Sequence, residues 1–304
     1  MEKKKVKNAH LLSTKEQLAS DLYVNQPYPI SAMQADLSRQ QIRILVGMVR
    51  SIQDGVLKMF ERKKQGGELI LFPDMKEDRV NIEFKFSDVA DRPDAYRNVE
   101  IVANKFMKMV FRYEDKDKGE VTLTHFVDKI SYPSNGSKRN KICFSFTREQ
   151  AETVFNFAMY SRYMLSVVAG VDSKHTARLY MLITSARGFK RDSNGDLCWY
   201  VGYEELRRML GCDVKDSRNH WVRKSQKEYK HFKSNVLRVA EKELKMLFKD
   251  GKSDCCFEFV ERPDNFSGEP NTLKFILHMA EDRKTILIAD APKHNTIQME
   301  VWGD

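Results

Sequence analysis

The chain has 304 residues, more than one comfortable core needs and enough for two units of about 130 to 150 residues each. Lys and Arg number 52 against 43 acidic residues, a formal +9 at pH 7, which favours a polyanionic partner bound in a salt-dependent way. The basic opening of the chain lacks the apolar run of a signal peptide, and no segment reaches the roughly 20 apolar residues of a bilayer span, so secretion and membrane insertion have no support.

The first regular signals precede residue 65. Ser13 and Glu16 have capping-box spacing at the head of a short helix, which Pro27 and Pro29 keep from continuing. A firmer helix starts at Ser38, which with Gln41 caps its first turn, while Ile42, Leu45, Val46, Val49, Ile52 and Val56 return to one face as far as about Arg62. It is expected to be the scaffold of the first unit.

After Gly66-Gly67, Ile82, Phe84 and Phe86 alternate as a strand, a small helix surrounds Asp88 to Ala90, and Tyr96, Val99, Val102, Phe106, Met109 and Val110 mark an apolar helical face. Arg97, Asn98, Asn104, Lys105 and Lys108 fall largely on its other faces. Val121–Ile130 and Ile142–Phe146 are expected as two strands around the turn pair Asn135-Gly136, with Lys138, Arg139 and Lys141 placing positive charge at the tip. Thr147 and Gln150 open another capped helix, and the apolar run Met159–Val171 argues against a floppy tether between the units.

The same order recurs. A packing helix from Ser173, a strand from Cys198 to Val201, and a short helix Tyr203–Gly211 lead past a polar stretch into a long basic helix. On it Phe232, Val236, Ala240, Leu244 and Leu247 share a stripe, while Lys227, Lys230, Lys233, Ser234, Arg238, Lys242 and Lys245 occupy the remaining surface. Cys256–Val260 and Thr272–Leu277 complete a second hairpin, made acidic by Glu258, Glu261, Asp264 and Glu269.

The repetition predicts an α+β chain of two tandem winged helix-turn-helix domains, residues 1–162 and 163–280, with 281–304 as a tail given no role beyond packing or partner contact. A major groove admits a helix, and base reading requires backbone contacts that hold it in register. The candidate DNA contacts are Arg97, Asn98, Lys105 and Lys108 with Lys138, Arg139 and Lys141 in the first unit, and Lys227, Lys230, His231, Lys233, Ser234 and Arg238 in the second.

Catalysis has little to stand on. The chain has no phosphate-binding loop, no paired-histidine nicking site and no dinucleotide fingerprint. Tyr160 and Tyr163 are expected as core or interface residues rather than nucleophiles, and Asp88, Asp91 and Asp94 as helix-end and loop charges. The five cysteines, Cys143, Cys198, Cys212, Cys255 and Cys256, are odd in number and lack zinc spacing, which predicts no metal, no cofactor and a reducing cytoplasm.

SKHTARLYMLITSARGF, WYVGYEELRRMLGC, YKHFKSNVLRVAEKELKMLF and NTLKFIL in this order, together with the upstream LSRQQIRILVGMV and YRNVEIVANKFMKMVF, resemble the replication-initiator family of theta-replicating bacterial plasmids over Ala32 to Leu277. The resemblance implies monomers on direct-repeat iterons of double-stranded origin DNA, and dimers on an inverted operator that represses the initiator gene. It further implies local duplex distortion and recruitment of a host replicative helicase or its loader, without DNA cutting. A plasmid transcriptional repressor is the nearest alternative, and a metal-dependent nickase or relaxase the alternative of a different class.

Overall fold

A computed structural model of the chain describes residues 23–64, 79–85, 98–115, 120–134, 140–147, 150–151, 160–185, 189–215, 221–263, 270–280 and 300–302. The expected helix at Ser13 and the small helix at Asp88 lie outside them. The first unit begins with β1 (Tyr23–Pro27), a single turn α1 (Tyr28–Ser31) and the long α2 (Arg39–Lys64). The predicted capping box forms in both directions: the Ser38 N–H donates to Gln41 Oε1 at 2.8 Å, and the Gln41 N–H donates to Ser38 Oγ at 3.3 Å.

The start of α2 is apolar on more than one side. Ile42, Leu45, Val46 and Val49 are buried as expected, but Ile44 and Met48 are equally inaccessible. A helix buried nearly all round lies inside a fold rather than on one face of it, and here β1 packs against α2 together with two helices of later sequence, α4 (Leu165–Gly170) and α5 (Lys174–Ile183).

β2 (Arg79–Lys85), α3 (Val99–Met107), β3 (Val110–Asp115), β4 (Glu120–His125), β5 (Lys129–Ser131) and β6 (Lys141–Thr147) follow. α3 is shorter than its apolar pattern predicts, because Val110 enters a strand. The expected strand Val121–Ile130 is two strands with different partners. β4 pairs with β3, whereas β5 joins β6 and β2 in an antiparallel sheet with Ile130 opposite Phe144. Phe126, buried between β4 and β5, makes the break intelligible: its ring packs 6.0 Å from Phe106 of α3 and 5.7 Å from Phe146, so the chain turns inward there. The 300–302 stretch is β14, paired with β3 through Trp302 and Val110, so part of the tail completes a sheet of the first unit.

β7 (Tyr160–Met164) pairs antiparallel with β1 and runs across the expected boundary at residue 162. α4 and α5 follow, the latter capped by Ser173 Oγ, which accepts from the His175 and Thr176 N–H groups. Then come β8 (Phe189–Arg191), β9 (Leu197–Gly202), α6 (Tyr203–Met209), β10 (Asp213–Lys215), β11 (Trp221–Lys224), α7 (Tyr229–Phe232), a wide π turn at Lys233–Leu237, α8 (Arg238–Lys249), β12 (Cys255–Pro263) and β13 (Pro270–Met279). The sheet order β12-β13-β9-β8 with α6 and α8 is a winged-helix-like arrangement. The polar stretch from Cys212 to Gln226 holds the hairpin β10–β11, unexpected from its sequence.

The buried apolar residues of the described segments form one cluster from Val24 to Met279. Polar side chains tie its parts together. Arg178 of α5, 2% exposed, donates through Nη1 to the Ala35 carbonyl at 3.3 Å and through Nη2 to the carbonyls of Met33 and, at 2.5 Å, Met209. Gln26 accepts from the Tyr163 hydroxyl at 2.7 Å and donates to Ser31 Oγ at 2.9 Å. Each of these contacts would leave a buried polar group unsatisfied if it opened.

Candidate nucleic-acid interface

In the first unit α3 is fixed by its buried face, Val99, Val102, Ala103 and Phe106. Phe106 meets Phe144 of β6 edge to face at 5.5 Å, so the helix and the wing strand are placed by one aromatic contact. Asn98 sits at the N-cap position without a side-chain cap bond and is exposed, as is Lys108 at the other end. Lys105 is half-buried and already has a partner in the fold. Arg97, Lys138 and Arg139 lie outside the described residues. Lys141 is exposed at the base of the wing, where it pairs with Glu83 of β2 at 2.7 Å.

In the second unit the stripe expected of the basic helix is buried at Phe232, Val236, Ala240 and Leu244, with Leu247 packed against its edge. Leu237 is buried as well. Successive i+4 steps drift by about 40° on an ideal α-helix. The π turn, with more residues per turn, reduces that drift and keeps the stripe aimed at the core.

The exposed side does not hold uniformly available cations. Lys227, Lys230, His231 and Ser234 are exposed. Lys233 instead pairs with Glu261 of β12 at 2.6 Å, which holds the Glu261 carboxyl below its ordinary range even though burial acts the other way. Arg238 pairs with Glu241 at 2.6 Å and lies 4.7 Å above the Phe259 ring. Lys245 bridges Glu241 and Glu258, at 3.4 and 2.9 Å. The two described carboxylates of the expected acidic wing, Glu258 and Glu261, are therefore counter-charges of the basic helix beside them, while Asp264 and Glu269 lie outside the described residues.

Three important residues escaped the sequence reading. Arg207, 4% exposed on α6, uses all five of its N–H groups: Nε and Nη2 grip both Asp213 oxygens at 2.7 Å, Nη2 also reaches the Ser225 carbonyl at 2.8 Å, and Nη1 reaches the Gln226 carbonyl at 2.5 Å and the Tyr203 hydroxyl at 3.0 Å. Its guanidinium lies 5.4 Å from the Tyr203 ring centre and 5.5 Å from that of Phe232. Burial works against its charge, yet the paired carboxylate raises its pKa above the ordinary value. Arg207 thus connects α6 to the turn that launches the basic helix. In that turn Gln226 has φ +53°, and its Oε1 accepts from Asn235 Nδ2 at 3.0 Å. The signal available in the sequence was weak: Tyr203 and Arg207 are an i,i+4 pair on a helix that otherwise suggests a solvated basic end.

A family model described as "Initiator Replication protein, WH1" matches residues 24–184, just over half of the chain. The chain belongs to the initiator replication protein family. That bears out the resemblance drawn from the sequence motifs. No curated protein matches the chain significantly. Among solved structures, the chain is similar to one described as "Crystal structure of Pi initiator protein in complex with iteron DNA", with a TM-score of 0.52 and 15% identity, over 86% of this chain and 99% of that one. At that identity the likeness is one of fold.

The same residues bear on the alternatives. Tyr163 is fully buried with its hydroxyl bound to Gln26, and burial raises its pKa well above the ordinary tyrosine value, the reverse of what a nicking nucleophile needs. Among the described residues no group of three or more His, Cys, Asp or Glu is placed to hold a metal ion. No described helix is long and apolar enough to cross a membrane.

Proposed function

We propose that this chain is a plasmid replication initiator that binds double-stranded origin DNA at direct-repeat iterons. The match of residues 24–184 to the initiator replication family carries this reading, and the described fold supports it through two helices anchored by apolar faces with polar and basic residues opposite. Two tandem winged-helix units, residues 1–162 and 163–280, engage successive parts of one repeat. β14 makes part of the 281–304 tail an accessory of the first unit.

Asn98, Lys105, Lys108 and Lys141, with Arg97, Lys138 and Arg139, serve the first contact, and Lys227, Lys230, His231 and Ser234 the second. Lys233 and Arg238 join once phosphate competes with Glu261 and Glu241 for them. Neutralisation of phosphates supplies most of the affinity, and bending of the repeat adds a sequence-dependent term. Bound in series, the protein promotes opening of adjacent A/T-rich DNA and recruits the host helicase or its loader, in the cytoplasm and without cleavage. As a dimer it occupies an inverted operator and represses its own gene.

Footprinting on the DNA around the encoding gene, over a protein concentration series, tests this. Regularly spaced protections beside an A/T-rich segment are expected. A lone protected promoter site would replace the proposal with a repressor, and a covalent tyrosine–DNA product with a nickase.

A further inference from the structure

The turn before the basic helix holds a feature that phosphate binding does not require. Gln226 is the non-glycine with positive φ among the described residues, at +53°. A glycine would adopt that backbone without strain. The glutamine side chain therefore stands where backbone geometry alone favours its absence, and strain of this kind concentrates at functional positions.

What the side chain does is visible. Gln226 Oε1 accepts from Asn235 Nδ2 at 3.0 Å, and Asn235 Oδ1 accepts from the Ser234 hydroxyl at 3.3 Å. Asn235 is exposed on the π turn and Gln226 is half-exposed. The pair lies at the N-terminal end of the basic helix, with Asn235 one turn beyond the exposed His231. These bonds leave capacity over: Gln226 Nε2 has no partner among the described residues, and each amide oxygen retains a second lone pair. Together the two amides offer a donor beside an acceptor, the complement of the adenine edge in the major groove, where N7 accepts and the N6 amino group donates.

Two devices aim the pair. The Arg207 guanidinium, saturated by Asp213, Tyr203, Ser225 and Gln226, fixes the backbone at Gln226 itself. The π turn at Lys233–Leu237 widens the helix where Asn235 emerges, a distortion frequent at functional sites.

We infer that the Gln226–Asn235 amide pair is the base-reading element of the second unit, specific for an A·T pair in the major groove, with Arg207 as the positioning residue behind it. The inference rests on the proposed duplex-DNA binding. The flanking cations hold the helix in register on phosphates, and the amides discriminate.

The test is selection of bound sequences from a pool of random 30-base-pair duplexes by the full chain, followed by anisotropy titrations on the selected duplex and its single-position variants. Wild type is expected to select a motif. Asn235→Ala, an exposed change, and Gln226→Gly, which keeps the left-handed backbone, are each expected to lose about 5- to 150-fold of the preference for A·T at one shared position. The other positions and the salt dependence should stay as in wild type, since neither change removes a charge. Arg207→Lys retains the charge without the planar fork and is expected to weaken the same position.

Identical motifs of equal strength from wild type, Asn235→Ala and Gln226→Gly would overturn the inference while leaving duplex binding intact. So would a uniform loss at every position, which marks a phosphate contact. If wild type itself selects no motif, the duplex-reading proposal fails and this inference with it.

Discussion

Gly211 ends α6 with φ +70° in a paired arrangement: the Cys212 N–H donates to the Arg207 carbonyl and the Gly211 N–H to the Arg208 carbonyl, both at 2.9 Å. Gly251 ends α8 with the same bonding, from Lys252 to Leu247 at 2.8 Å and from Gly251 to Phe248 at 3.1 Å, with φ +68°. The two differ only in surroundings. A Cβ on Gly251 meets nothing within 4 Å, whereas one on Gly211 falls 2.3 Å from the Ala35 oxygen and 2.9 Å from its carbonyl carbon. Gly251→Ala should therefore cost only the left-handed penalty, about 1 to 2 kcal/mol. Gly211→Ala adds displacement of the backbone ahead of α2, an overpacking term of about 1 to 3 kcal/mol, and disturbs the Ala35 carbonyl that Arg178 holds. Urea unfolding of both variants measures the difference through the midpoint, at unchanged slope. Equal destabilisation by the two changes would refute the close approach of α6 to the segment preceding α2.

Four further outcomes concern the basic helix, the Arg207–Asp213 pair and His175 of α5. Lys230→Ala should lower the slope of log affinity against log salt by about 0.9 for the lost phosphate contact, and Glu261→Gln, which releases Lys233, should tighten binding at low salt; anisotropy titrations between 50 and 200 mM salt, as a rough range, check both, and no change in either would remove these lysines from the interface. Arg207→Met or Asp213→Leu alone should destabilise by about 3 to 5 kcal/mol, because each leaves a buried charge unpaired, while the double variant should recover much of that; additive losses in a thermodynamic cycle would contradict the pairing. Burial, with Lys174 and Arg178 nearby, lowers the His175 pKa from 6.5 to about 4. Protonation of His175 therefore favours the unfolded chain: its contribution is full above pH 6.5 and falls as pH drops towards 4, by at most about 3 kcal/mol. His175→Gln should flatten that part of the stability profile, and an unaltered acid profile would mean the imidazole is accessible to protonation in the fold.

What the sequence determined about this protein was local. The bonds of Ser38 with Gln41 and of Thr147 with Gln150 form where spacing predicts, because a cap needs only residues three apart. The burial of Phe232, Val236, Ala240 and Leu244 was equally readable, since periodicity survives any tertiary context that supplies a core. The ordered motifs also sufficed for the family.

Tertiary structure decided matters of long separation. β14 pairs with β3 across nearly two hundred residues, and the split of Val121–Ile130 depends on Phe126 finding Phe106 and Phe146; neither partner is encoded nearby. The same reason explains the interface. Lys233 and Arg238 look like free cations on a helical wheel, but β12 returns to bring Glu261 to the first and the Phe259 ring to the second. Arg207 looks like surface until Asp213 and the carbonyls of Ser225 and Gln226 close around it. Periodicity reports which side of a helix is apolar; whether a charged group on the other side meets water, a carboxylate or a carbonyl depends on segments folded back from elsewhere in the chain, and only packing brings them there.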